Sequence, residues 1–161
     1  MSTDKPWLRL RRRLAAVVPH RGRHRVDPVR DRAEALRARG AELVEAGSYP
    51  EAVDAFQEAV DVYLGSGRWI RYRNEIVWTQ YPLAVALGGA GRYDEALSAA
   101  AGPLRILRRL NRRPGAPTRP WYAELLRLVA HWQDRTGRTA DARATYEEAS
   151  ALAGEAATSR E

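Results

Sequence analysis

Between residues 27 and 153 the small and apolar positions recur at helical spacing, and they predict paired helices. Asp27-Pro28 reads as an N-cap followed by proline at the first helical position, where its missing amide costs nothing. Small or apolar residues then fall at Leu36, Gly40, Leu43 and Val44, and Gly47 is the predicted stop. Tyr49-Pro50 opens a second helix whose Ala52, Val53, Phe56, Ala59, Val60 and Tyr63 share one stripe, closed by Gly65-Ser66-Gly67. A short turn between helices of this length makes an antiparallel hairpin. No alternating run rich in β-branched residues suggests a strand.

The hairpin recurs. Gly47-Ser48-Tyr49-Pro50-Glu51-Ala52 is matched by Gly91-Arg92-Tyr93-Asp94-Glu95-Ala96 and by Gly137-Arg138-Thr139-Ala140-Asp141-Ala142, at spacings of 44 and 46. A small residue lies 12 positions before the alanine each time: Gly40, Ala84 and Ala130. Two antiparallel helices approach closely only where both present Gly or Ala, so these positions are expected to pair across each hairpin. One turn beyond the alanine come Phe56, Ala100 and Tyr146, where a larger side chain is expected to fill the gap toward the next hairpin.

These residues resemble tetratricopeptide repeats, whose pattern is W-x2-L-G-x2-Y and then A-x3-F. The first hairpin reads Leu36-x2-Arg39-Gly40-x2-Leu43, then Ala52-x3-Phe56. The second reads Gln80-x2-Leu83-Ala84-x2-Leu87, then Ala96-x3-Ala100. The third reads Leu126-x2-Val129-Ala130-x2-Gln133, then Ala142-x3-Tyr146. The resemblance covers residues 33–153 and implies an all-α fold, a right-handed α–α solenoid of three antiparallel helical hairpins. Two departures stand out. The period exceeds the family's usual value of about 34, and Pro103 falls seven residues after Ala96, where the family has a small helical residue. Gly102-Pro103 is expected to kink or split its helix. The same spacings also suit an irregular helical bundle.

The predicted organisation is a basic N-terminal arm (1–26), a helical repeat domain (27–153) and a polar tail (154–161). The hairpins are expected at 28–64, 69–110 and 120–153, with Asn111 to Pro120, which holds three prolines and a glycine, as the long loop.

Charge sharpens this division. Residues 1–30 hold nine basic and two acidic side chains, whereas the remainder is balanced, so the pI of 10.3 belongs to the arm and says nothing of the body. Cysteine is absent, which excludes disulfides, a thiol nucleophile and Cys-based metal sites. Arg outnumbers Lys 26 to 1 and Ala occurs 28 times, read as the codon bias of a high-GC bacterial genome. The longest apolar runs, such as Leu14–Val18 and Leu83–Leu87, fall far short of the ~20 residues of a membrane span. Leu14–Val18 is also too short for a signal-peptide core, so a cytoplasmic protein is expected.

Candidate chemistry is sparse. No nucleophile-elbow, P-loop or zinc-protease motif occurs, and no cofactor, metal or catalytic group is expected. His20 and His24 have helical metal-pair spacing but lie among Arg21, Arg23 and Arg25, whose charge opposes a cation. Arg9, Arg11, Arg12 and Arg13 flank an apolar stripe of Trp7, Leu10, Leu14 and Val17. This arm reads as a basic amphipathic helix for nucleic acid or an anionic membrane, as a cap on the first hairpin, or as a disordered segment. Arg68-Trp69-Ile70-Arg71-Tyr72-Arg73 interleaves cations and rings as single-strand binders do. It also reads as the first turn of a helix with Trp69, Tyr72 and Ile76 packed inward. Arg105, Arg108, Arg109, Arg112 and Arg113 suit a helix C-terminus.

The resemblance further implies that the first helix of each hairpin lines a groove for a peptide or helix of a partner protein. Its lining would be Glu34, Arg37 and Ala41; then Trp78, Tyr81, Val85 and Gly88; then Glu124, Arg127, His131 and Asp134. Rings flanked by arginines suit a peptide with one apolar anchor and nearby acidic groups. Pro82 removes the amide that would bond the Trp78 carbonyl, which leaves an acceptor for a bound peptide or merely begins a new helical segment. The expected function is thus a non-catalytic interaction module, an adaptor or regulatory subunit. Nucleic-acid or anionic-membrane binding through the arm, and self-association through the uncapped last hairpin, are the other readings.

Overall fold

In the computed structural model, residues 26–112 and 116–158 are described, with side chains as far as Leu152. The described residues form six helices and no strand: α1 (Pro28–Ala46), α2 (Tyr49–Gly65), α3 (Arg73–Gly89), α4 (Tyr93–Leu110), α5 (Arg119–Arg135) and α6 (Thr139–Thr158). Each helix packs most closely on its sequence neighbour, so α1–α2, α3–α4 and α5–α6 are hairpins, and α2–α3 and α4–α5 join them. The arm (1–26), including its arginines, lies outside the described residues except for Val26.

Three identical turns close the hairpins. Gly47, Gly91 and Gly137 sit at φ of 78°, 76° and 78°, in the left-handed region that a side chain disfavours. In each, the residue after the glycine donates to the carbonyl five back: Ser48 to Leu43 at 2.9 Å, Arg92 to Leu87 at 2.9 Å and Arg138 to Gln133 at 2.8 Å. The repeat read from sequence is thus a repeat of backbone geometry. Asp27 caps α1 as expected, its Oδ1 accepting the Arg30 amide at 3.3 Å.

Small residues mark the close approaches. Gly40, Ala84, Ala130, Ala52, Ala96 and Ala142 are all buried. A Cβ on Gly40 would lie 2.8 Å from the Phe56 ring, so Phe56 fills the space inside its own hairpin, within the core that continues into the next. Tyr146, at the matching place in α6, is 42% exposed, because no further hairpin covers it among the described residues.

One core runs through all three hairpins, from Val44 and Phe56 through Tyr81, Leu87 and Leu107 to Leu125, Leu126 and Trp132. Leu107, Leu125 and Leu126 are fully buried, each contributing about 2 kcal/mol from its removal from water. A smaller cluster of Ala33, Ala59, Tyr63 and Tyr72 joins α1 and α2 to the start of α3.

Two expectations need correction. The second hairpin does not begin at residue 69. Gly67 turns at φ 65° and tight turns follow, with Arg71 N on Arg68 O at 2.8 Å and Tyr72 N on Trp69 O at 3.0 Å, so α3 starts at Arg73. Tyr72 takes the inward place, its ring 5.1 Å from that of Tyr63 and its hydroxyl 2.8 Å from Asp27 Oδ1, and Trp69 is left 54% exposed. Nor does Gly102-Pro103 split α4, which runs unbroken. Pro103 is buried, and Gly102 lies so close to α3 that a Cβ would stand 2.8 Å from Gln80 Oε1. The pair serves the α3–α4 contact. Pro82 likewise lies within an unbroken α3.

Ends of the long loop are tied by Asn111, whose Nδ2 donates to Leu107 O at 2.8 Å and Thr118 Oγ1 at 3.0 Å. Arg108 Nε donates to the Tyr122 hydroxyl at 3.0 Å, and Tyr122 donates in turn to Glu148, which links α4, α5 and α6.

Candidate functional site

The first helices of the hairpins are brought together. α1 touches α3 directly, and α5 meets α3 where Trp132 lies over Gly88; a Cβ on Gly88 would fall 2.3 Å from Trp132 Nε1. The eleven positions named from sequence divide into three groups on this layer.

The first group keeps polar or partly open surface. Glu34, Arg37 and Ala41 on α1 are half-buried. Trp78 and Val85 on α3 are half-buried with one side packed on the core. Glu124 is half-buried on α5, Arg127 is exposed, and the two pair at 3.4 Å. His131 is exposed, its ring meeting that of Tyr93 edge-on at 6.1 Å.

A second group is taken up by packing within the fold. Tyr81 is 2% exposed, so its ring is core and not groove lining. The i+3 step from Trp78 carries it round to the side facing α4 and α5, which periodicity alone does not distinguish from the open face. Its hydroxyl is enclosed without a hydrogen-bond partner. Burial drives its pKa far up, and the Glu124 carboxylate adds to that. Gly88 is half-buried, with Trp132 seated against it.

Asp134 forms the third group alone. It faces α6 and helps line an open depression of about 470 Å³ with Thr139, Ala142, Arg143, Tyr146, Glu147 and Ser150. It does not join the α3 residues.

Sequence reasoning missed one contributor. Tyr93 is half-buried at the start of α4, between His131 and Arg135, whose guanidinium lies 5.1 Å from its ring centre. Tyr93 repeats the place of Tyr49 in the first hairpin, and Tyr49 likewise meets a neighbouring hairpin, at Gly89. That shared position is the signal that could have found it.

Arg37 acts on Tyr63. Burial pushes the Tyr63 hydroxyl up to about 12, opposed by the Arg37 charge and helped by Glu34 and Glu75. Among the described residues, no group of three or more His, Asp or Glu is placed to hold a metal ion, and no helix is long and apolar enough to cross a membrane.

No protein-family model, curated protein or solved structure matches the chain. The resemblance to tetratricopeptide repeats therefore rests on the residues of this chain alone.

Proposed function

We propose that the protein is a non-catalytic interaction module of tetratricopeptide type, which holds a peptide segment of a partner protein against its first helices. The observation that carries this reading is that α1 touches α3 and Trp132 of α5 sits against Gly88 of α3, while Trp78, Val85, Arg37 and Glu124 on these helices stay half-buried and Arg127 and His131 exposed. A half-buried indole anchored in a rigid helix offers apolar contact area with little entropy left to lose. Arginines to either side supply donors for carboxylates. The ligand of this face is a short peptide with one apolar side chain and acidic neighbours.

Peptides selected against the immobilised full chain from a random displayed library test this. The selected set should carry an apolar residue flanked by Asp or Glu. Trp78→Ala together with Arg127→Ala should weaken the best of them roughly tenfold or more, by titration calorimetry. Equal affinity of the variant would remove this face from the account.

A further inference from the structure

Six large apolar side chains stand exposed among the described residues, and four of them, Val26, Leu64, Trp69 and Ile70, gather at one end of the molecule. Scattered single exposures mean little, but a cluster of this kind marks a surface that meets something apolar. Connectivity and contacts bring them together. Leu64 ends α2, and Trp69 and Ile70 lie in the turn that follows. Val26 arrives from the other direction, because its neighbour Asp27 accepts the Tyr72 hydroxyl at 2.8 Å and pairs with Arg71 at 3.3 Å. Tyr72 in turn stacks on Tyr63, beside Leu64. Exposure is 65% for Ile70 and 82% for Val26.

Cations interleave with this patch. Arg68, Arg71 and Arg73 are all exposed. The arm adds to them by covalent attachment: residues 1–25 hold eight basic side chains and one acidic, and they join the body at Val26. The point where the arm joins the body thus lies at the same end as the Arg-Trp-Ile-Arg turn.

We propose that this end docks on an anionic lipid bilayer, with Trp69, Ile70, Leu64 and Val26 at the boundary of headgroups and acyl chains and Arg68, Arg71 and Arg73 on lipid phosphates. The chemistry separates this partner from a nucleic acid. Bases stack on rings, and among the described residues of this end only Trp69 offers an exposed one; Ile70, Leu64 and Val26 are aliphatic and are removed from water by hydrocarbon. Tryptophan and arginine are the side chains that suit the headgroup level. Neither kind of side chain at this tip suffices alone, since a small apolar surface or a few cations bind weakly and together they supply the two signals that stable attachment needs. Approach is tip-first. Glu51, Asp54, Glu58 and Asp61 form an exposed acidic ridge on α2 that begins one turn behind Leu64, and a sideways approach would bring it against the anionic surface. Its residues differ from those of the proposed peptide face, so separate variants test each proposal.

Sedimentation of the full chain with phosphatidylserine-containing phosphatidylcholine vesicles, against phosphatidylcholine alone, tests the assignment. Binding is expected to the anionic vesicles only, falling with salt. Trp69→Ala with Ile70→Ala should weaken it roughly tenfold or more, with an unchanged thermal melt because both side chains are exposed. Arg68→Glu with Arg73→Glu should do the same. Three results would overturn the proposal: no binding by the unmodified chain, equal binding by the Trp69/Ile70 variant, or tighter binding of a single-stranded oligonucleotide that Trp69→Ala weakens and Ile70→Ala does not.

Discussion

Asp27 concentrates more structure on one side chain than any other residue described. Its Oδ1 caps α1 through the Arg30 amide, both its oxygens lie within hydrogen-bond distance of the Tyr72 hydroxyl, and Oδ2 meets Arg71. Burial acts to raise its pKa, but the hydrogen bonds from Tyr72 and Arg30 and the charges of Arg71 and Arg30 outweigh that, and the net shift is downward. A carboxylate with a lowered folded-state pKa adds stability above the ordinary aspartate range, lost as pH falls through its folded value. Asp27→Ala should therefore cost about 1–2 kcal/mol in urea unfolding at neutral pH. Asp27→Asn, which keeps a cap acceptor, should cost less, and its deficit should vanish as the solution is taken below the aspartate range. A deficit independent of pH would show that the charge contributes nothing. The sequence made this cap legible because Asp before Pro at a helix start is a local signal. The bonds to Tyr72 and Arg71, 45 and 44 residues away, had no such signal.

At the scale of elements, the turns were legible and one helix start was not, for the same physical reason. A left-handed turn is decided by one residue, and Gly47, Gly91 and Gly137 each mark theirs. Substituting alanine at any of the three should cost about 1 kcal/mol, since a Cβ is disfavoured at positive φ. Gly65→Ala should be neutral or slightly stabilising, because Gly65 is helical and nothing lies within 4 Å of the added carbon. Equal costs at Gly65 and Gly91 in thermal unfolding would mean that the turns do not hold the geometry described. The start of α3 depends instead on a competition between Trp69 and Tyr72 for one inward place. Tyr72 wins because Tyr63 and Asp27 supply a ring and an acceptor there, partners that local spacing does not reveal. Pro103 was misread in the same way. Its effect depended on whether α3 approached closely enough to use the Gly102-Pro103 surface, and it does.

For the molecule as a whole, helix pairing and hairpin order were legible, and the open face only in part. Arg37, Trp78, Glu124, Arg127 and His131 retain surface on the first helices, whereas Tyr81 is buried, Gly88 is half-buried under Trp132 and Asp134 turns toward α6. Helical periodicity gives a residue's angle around its own axis, but a stack has neighbours on several sides, and which angles they cover follows from their side chains. Trp132 over Gly88 is the clearest instance, and it is the contact that brings α5 against α3, beside the broader α4–α5 packing. A double-mutant cycle there tests the stacked arrangement most directly. Gly88→Ala should cost about 1–3 kcal/mol in the unmodified chain, because the buried indole cannot yield. In a Trp132→Leu background the same change should become neutral or stabilising by up to about 1 kcal/mol, as alanine's helix propensity takes over. An identical cost of Gly88→Ala in both backgrounds would mean that α3 and α5 do not meet, and the shared face would go with them.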